Sequence, residues 1–194
     1  MRIAVVGAYG NGKTTLTTAL APLLEIPRVH GTPMADPAGS APKPLEDCAE
    51  GELLQLMLRR FTERTVSEER NPDGFVSDGS SLHEWIYTKV RLALGRHPRP
   101  PQDLPLYDDG PYEEVAGQLG TVIQQRVREA YDVFLHVPVE FPLQPGESPI
   151  SERFRHLSDR LLIEVLGRLG CPVHVVRGSV AERLCTALSV LGAG

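Results

Sequence analysis

Apolar and polar positions along this chain alternate between two spacings. Short apolar runs, rich in β-branched residues, fall at Arg2–Val6, Phe75–Val76, Asp132–Val137 and Pro172–Arg177 and predict strands, with Pro27–His30 as a shorter second one. Between them, apolar residues recur every three or four positions and predict helices. The first helix runs from about Lys13 to Leu24 with Leu16, Leu20, Leu23 and Leu24 on one face. Glu50–Arg70 carries Leu53, Leu54, Met57, Leu58 and Phe61, and Leu82–Leu94 carries Trp85, Ile86, Val90 and Leu94. Tyr112–Ala130 is a further helix, and Ser151–Leu169 presents Leu157, Leu161, Val165 and Leu169. In the last, which begins at Gly178-Ser179, Ser179 and Glu182 fit a capping box.

Turn residues punctuate this pattern. Asn71-Pro-Asp-Gly74 closes the long helix, while the Pro- and Gly-rich stretches 31–44 and 97–111 read as loops. Strands alternating with helices imply an α/β fold with a parallel sheet covered on both sides, a three-layer α/β/α sandwich. With 194 residues and 41% hydrophobic content, the chain can bury one sizeable core, and a single domain over 1–194 is expected.

The chemistry begins directly after the first strand. Gly7-Ala-Tyr-Gly-Asn-Gly-Lys-Thr-Thr15 matches G-x-x-x-x-G-K-[ST] at every fixed position, in the required order of strand, loop and helix. Glycines allow the backbone to turn tightly and present successive N–H groups to phosphate oxygens. The candidate nucleotide contacts are therefore Gly10, Asn11, Gly12, Lys13, Thr14 and Thr15. Lys13 is expected to reach the outer phosphates and the Thr14 hydroxyl to ligate Mg²⁺, while the helix dipole faces the same anion.

Charge and composition narrow the partners. The formal net charge is −5 and no basic stripe stands out, so no nucleic-acid partner is expected. No apolar run approaches the roughly 20 residues that span a bilayer. The three cysteines, Cys48, Cys171 and Cys185, lack metal-ligand spacing. The reading is a cytoplasmic protein without a signal peptide and without a membrane partner, with a homodimer as the assembly left open.

Asp78 ends the strand opened by Phe75, where ligands collect in parallel α/β sheets. It is the candidate carboxylate, either organising Mg²⁺ or accepting a proton from the acceptor hydroxyl. Capping of the next helix is the alternative, and Asp36 is the reserve base. Arg59, Arg60 and Arg64 on the long helix read as its wet face in preference to a phosphate site, and His83 and Glu84 as pocket lining or plain surface.

Four segments, Gly7–Thr15, Val76–Ser80, Tyr131–His136 and Val175–Arg183, resemble in order and spacing the P-loop kinase branch of the NTPases. The likeness is strongest to small kinases of the ribosylnicotinamide-kinase type, which share a generic AAA domain label. The resemblance implies a five-stranded sheet in the order 2-3-1-4-5 and a lid over about 138–156 whose arginines, Arg153 and Arg155, close over the phosphates. It also implies an adenine-side turn at Gly178 and Ser179. Gly79 departs from the pattern, since relatives often carry arginine there, and the loop after the fourth strand is long.

The expected activity is ATP- and Mg²⁺-dependent transfer of the γ-phosphate to a hydroxyl of a nucleoside, nucleotide or similar small polar metabolite, with Lys13, Asp78 and Arg155 as catalytic residues. Two alternatives are a GTPase-like switch, for which Asn11 and Asn71 give no guanine-recognition motif, and a regulatory P-loop ATPase without an acceptor.

Overall fold

The computed structural model describes residues 1–30, 48–94, 110–143 and 151–193. Five strands, β1 (Arg2–Val6), β2 (Arg28–His30), β3 (Phe75–Asp78), β4 (Val133–His136) and β5 (Val173–Val175), form an all-parallel sheet in the order β2-β3-β1-β4-β5. Six helices accompany it: α1 (Lys13–Leu23), α2 (Glu50–Glu69), α3 (Ser81–Leu94), α4 (Pro111–Ala130), α5 (Glu152–Leu169) and α6 (Val180–Leu191). The expected fold class and strand order are both observed.

Strand alternation divides the interior in two. Ile3 and Val5 of β1 join Val76, Val133 and Leu135 against Leu16, Leu20 and Ala187, so α1 and α6 cover that face. Ala4 and Val6 join Phe75 and Phe134 against Trp85, Ile123, Phe154 and Leu162, so α3, α4 and α5 cover the other. The same two-residue period sorts the polar ends of β3. Ser77 follows Phe75 toward the thick helical layer, where it donates to Glu68 of α2. Asp78 follows Val76 toward α1.

Two helical stripes sit slightly rotated from the expected ones. In α2, Leu56 is buried while Leu58 is 43% exposed; in α5, Phe154, Leu162, Val165 and Leu166 are buried and Leu157, Leu161 and Leu169 pack only partly. Helix α3 is buried on most sides, since α2, α4 and α5 all pack against it. Its polar residues His83, Glu84 and Arg91 are consequently interior groups that need partners.

Register then places the loop after β1. Val5 lies opposite Asp78 and Val6 opposite His136, so residues 7–12 leave the sheet between the carboxyl ends of β3 and β4. This is where the sheet order reverses and where open α/β sheets bind their ligands. The stretch 31–47, with Asp36, residues 97–109 of the insertion and residues 144–150 of the expected lid lie outside the described residues.

Candidate active site

The loop is built by contacts that leave its amides free. Gly7 has φ 143°, and a Cβ there would run into the main-chain carbonyl of Val137, so only glycine fits. Gly10 and Gly12 also have positive φ, and Gly12 is the N-cap of α1 without any side-chain cap. Among the described residues, the N–H groups of Ala8, Tyr9, Gly10, Asn11 and Gly12 find no acceptor. Five unpartnered amides followed by a helix N-terminus form a receptor for a multiply charged anion.

Asn11 is the fixed point of this loop. Its side-chain amide donates to Val137 O at 3.1 Å, its Oδ1 accepts from Arg155 at 2.6 Å, and its main-chain carbonyl accepts from Arg183 at 2.8 Å. Arg155, only 1% exposed, also donates to Tyr9 O, Phe141 O and Glu152. Arg155 thus grips the outside of the loop as a clamp, in place of the mobile lid arginine that the sequence suggested. Arg153 is half-buried on the same turn of α5.

The turn of Gly178 and Ser179 joins the same brace. Gly178 N–H donates to Glu140, and Glu140 accepts from Arg183 at 2.8 Å, which in turn holds Asn11. Ser179 and Glu182 form the expected capping box of α6.

Lys13 is half-buried, and its Nζ donates to Ala8 O at 2.6 Å. Burial lowers its pKa from 10.5 to about 8, against the opposing pull of Asp78 and Asp159. An ammonium held in this way is under-solvated and gains most from an incoming phosphate. Thr14 and Thr15 are exposed on the first turn of α1, with the Thr14 hydroxyl unpartnered among the described residues.

Asp78 sits at the end of β3. Its Oδ2 accepts from Arg28 Nη2 at 2.6 Å, and Arg28 Nε donates to Thr17 of α1 at 2.8 Å. Its Oδ1 has no partner among the described residues and is available to a hydroxyl or a hydrated cation. A hydroxyl and a carboxylate are hard oxygen donors of the kind Mg²⁺ prefers, so Thr14 and Asp78 fit that ion.

Behind this carboxylate lies a buried polar network. His83 Nδ1 accepts from Ser80 N–H at 3.0 Å, and its Nε2 meets both the carbonyl of Gly7 at 3.0 Å and the N–H of Gly7 at 3.3 Å. Burial and the nearby Lys13 and Arg64 charges keep His83 neutral, its pKa well below 6.5. Tyr87 reaches Gly7 O at 3.4 Å, and burial raises the pKa of its phenol. Glu84 accepts from Arg60 at 2.7 Å and from Arg64 at 3.0 Å. Arg64 also donates to Ser77, and Tyr131 donates to Glu68 at 2.7 Å.

The expected wet face is thereby corrected at two of its three arginines. The side chain of Arg64 is 3% exposed and that of Arg60 11%, while Arg59 keeps 36%. His83 and Glu84 are likewise interior and not plain surface. At Gly79, φ is +98° and a Cβ would approach Arg64 Nη2 within 3.2 Å. The guanidinium of Arg64, from α2, therefore lies against the turn that follows Asp78. Arg28, Glu140, Arg183 and Asp159 were missed because their partners lie far away in sequence and no local spacing announces them.

The model of the AAA domain family matches residues 2–183. The chain belongs to that family. Its fold is that of the P-loop kinases: deoxyadenosine kinase from M. mycoides with bound dATP superposes with a TM-score of 0.74 at 15% identity, covering 99% of this chain and 100% of that one. NadR in complex with NAD and AMP-PNP superposes with a TM-score of 0.57 at 16% identity, covering 99% of this chain but 50% of NadR. No curated protein sequence matches.

Proposed function

We propose that this AAA domain protein is an ATP-dependent phosphotransferase that moves the γ-phosphate to a small nucleoside-like acceptor. One observation carries the reading. The unpartnered amides of residues 8–12, the desolvated Lys13 ammonium and the free Oδ1 of Asp78 converge at the switch point of the sheet. Two structurally similar proteins support it: one is a deoxyadenosine kinase holding dATP, the other was crystallised with AMP-PNP.

Phosphoryl transfer asks a protein to position its reactants and to neutralise developing charge. In this chain the loop amides and the N-terminus of α1 hold the triphosphate tail. Lys13 exchanges its bond to Ala8 O for phosphate oxygens and follows the charge to the transferring group. Thr14, with Asp78 directly or through water, would hold Mg²⁺, which when bound would neutralise charge on the phosphates. Asp78, oriented by Arg28, receives the acceptor proton or fixes the hydrated cation through its open oxygen. Arg155, Arg183 and Asn11 keep the loop in shape, and Gly178 and Ser179 flank its outer side where the base of the nucleotide would lie. A cytoplasmic location goes with this substrate class, and no helix among the described residues is long and apolar enough to cross a membrane.

The test is incubation of the protein with MgATP and a panel of nucleosides, nucleotides and sugars, read by mass spectrometry for an acceptor gaining one phosphoryl group. Lys13→Ala is expected to lower transfer at least 100-fold with the circular dichroism spectrum unchanged. ATP consumption without any phosphorylated acceptor would favour the regulatory ATPase instead.

A further inference from the structure

The two guanidinium groups of α2 share the buried Glu84, one on each carboxylate oxygen, and Arg60 keeps two nitrogens to spare. Arg64 serves one oxygen of Glu84, its Nε and Nη2 both donating to Oε1 at 3.2 and 3.0 Å, and its Nη1 is spent on Ser77 Oγ at 2.9 Å. Arg60 serves the other. Its Nε donates to Glu84 Oε2 at 2.7 Å, while Nη1 and Nη2 have no partner among the described residues although the side chain is only 11% exposed. Both Nη groups keep contact with solvent, so an incoming anion can take the place of water at either.

Its location gives the ligand. Glu84 adjoins His83 and lies one helical turn from Tyr87, both of which touch Gly7 O at the start of the phosphate loop. Arg64 borders Gly79, the residue after Asp78, and its charge is felt by Lys13. Arg60 therefore stands on the α2–α3 side of Asp78, across from α1 and the turn at Gly178. The nucleotide tail is already matched by loop amides, Lys13 and the α1 N-terminus, so a further cation on the opposite side addresses the second substrate.

We propose that Arg60 is an acceptor-binding residue for a phosphomonoester, so that the preferred acceptor is a nucleoside monophosphate or similarly phosphorylated nucleoside and not a neutral one. The two open Nη groups match two oxygens of a phosphate in the bidentate manner that favours arginine over lysine. Glu84 fixes the fork from behind, which lowers the entropy lost on binding. This inference rests on the phosphotransferase reading above and names its second substrate. In the reaction the γ-phosphorus–oxygen bond of ATP breaks, ADP leaves with that electron pair, and a new phosphorus–oxygen bond forms to an acceptor oxygen, a hydroxyl giving up its proton and a dianionic phosphate having none to give.

The test compares nucleosides with their 5′-monophosphates over one base series, by calorimetry and by transfer kinetics with MgATP, for wild type, Arg60→Gln and Arg60→Lys. Wild type is expected to bind the monophosphates at least tenfold more tightly than the nucleosides. Arg60→Gln should erase this margin, a loss of about 10- to 100-fold in monophosphate affinity, with Arg60→Lys recovering only part of it. MgATP affinity without acceptor, measured in parallel, separates an acceptor role from general damage: an equal loss there overturns the proposal. So does equal or tighter binding of neutral nucleosides by wild type, even if they are phosphorylated, an outcome that leaves the phosphotransferase reading intact. Selective monophosphate binding without transfer supports the subsite and contradicts the transfer reaction.

Discussion

At the scale of single residues, the chemistry of this site turns on charges held where water is scarce. Lys13 is the clearest. With its pKa lowered to about 8, the free protein begins to lose this proton at a pH where a phosphate-bound ammonium would keep it. Nucleotide binding is therefore coupled to proton uptake above pH 8. The expected outcome is an MgATP affinity that falls only about twofold from pH 7 to 8 and then by up to tenfold per pH unit, checked by calorimetry in buffers of different ionisation enthalpy. Asp78 and Arg28 form a second residue-scale unit, since Arg28 Nη2 holds one carboxylate oxygen and leaves the other open. Asp78→Asn should lower kcat by about 100-fold or more. Arg28→Gln should act through orientation, lowering kcat several-fold with less effect on the acceptor KM. Steady-state kinetics of both variants checks the pair.

At the scale of elements, α3 holds the thick half of the molecule together. It receives Arg60 and Arg64 from α2 on Glu84, delivers His83 and Tyr87 to the phosphate loop, and packs Trp85 against α4. Gly120 of α4 permits that last contact, because a Cβ there would come within 2.5 Å of the Trp85 indole. Gly120→Ala should therefore destabilise the fold by about 1–3 kcal/mol, seen as a lower Tm or denaturation midpoint. Local spacing made these elements legible but not their burial. The phosphate loop could be read because its glycines answer to backbone geometry, and the α6 cap because Ser179 and Glu182 are neighbours. The roles of Arg60, Arg64 and Arg155 could not be read. Charges at helical spacing look solvated until Glu84, from another helix, or Asn11, 144 positions from Arg155, supplies the partner. Leu58 was misplaced for a related reason: α2 turns the face bearing Leu56 inward, which only its packing against neighbouring elements reveals.

At the scale of the whole molecule, parallel strands in the order β2-β3-β1-β4-β5 bring the ends of β1, β3 and β4 to one edge, and α1, α3, α5 and α6 all contribute a hold on the loop found there. Stability and ligand binding should therefore be linked. His83 is buried neutral with its pKa well below 6.5, whereas the unfolded imidazole takes up a proton near that value. The unfolded state then binds more protons, so stability is full above about pH 6.5 and declines as the pH falls below it. Denaturant midpoints taken between pH 5 and 7.5 should show this decline, and His83→Gln should flatten it. Phosphoryl transfer by this chain depends most on the loop of residues 7–15 being a triphosphate receptor. Calorimetric titration of MgATP into the protein at pH 7 tests that directly. Saturable binding of one nucleotide per chain, lost in folded Lys13→Ala, is the predicted result; no binding, or equal binding by wild type and Lys13→Ala, would contradict it.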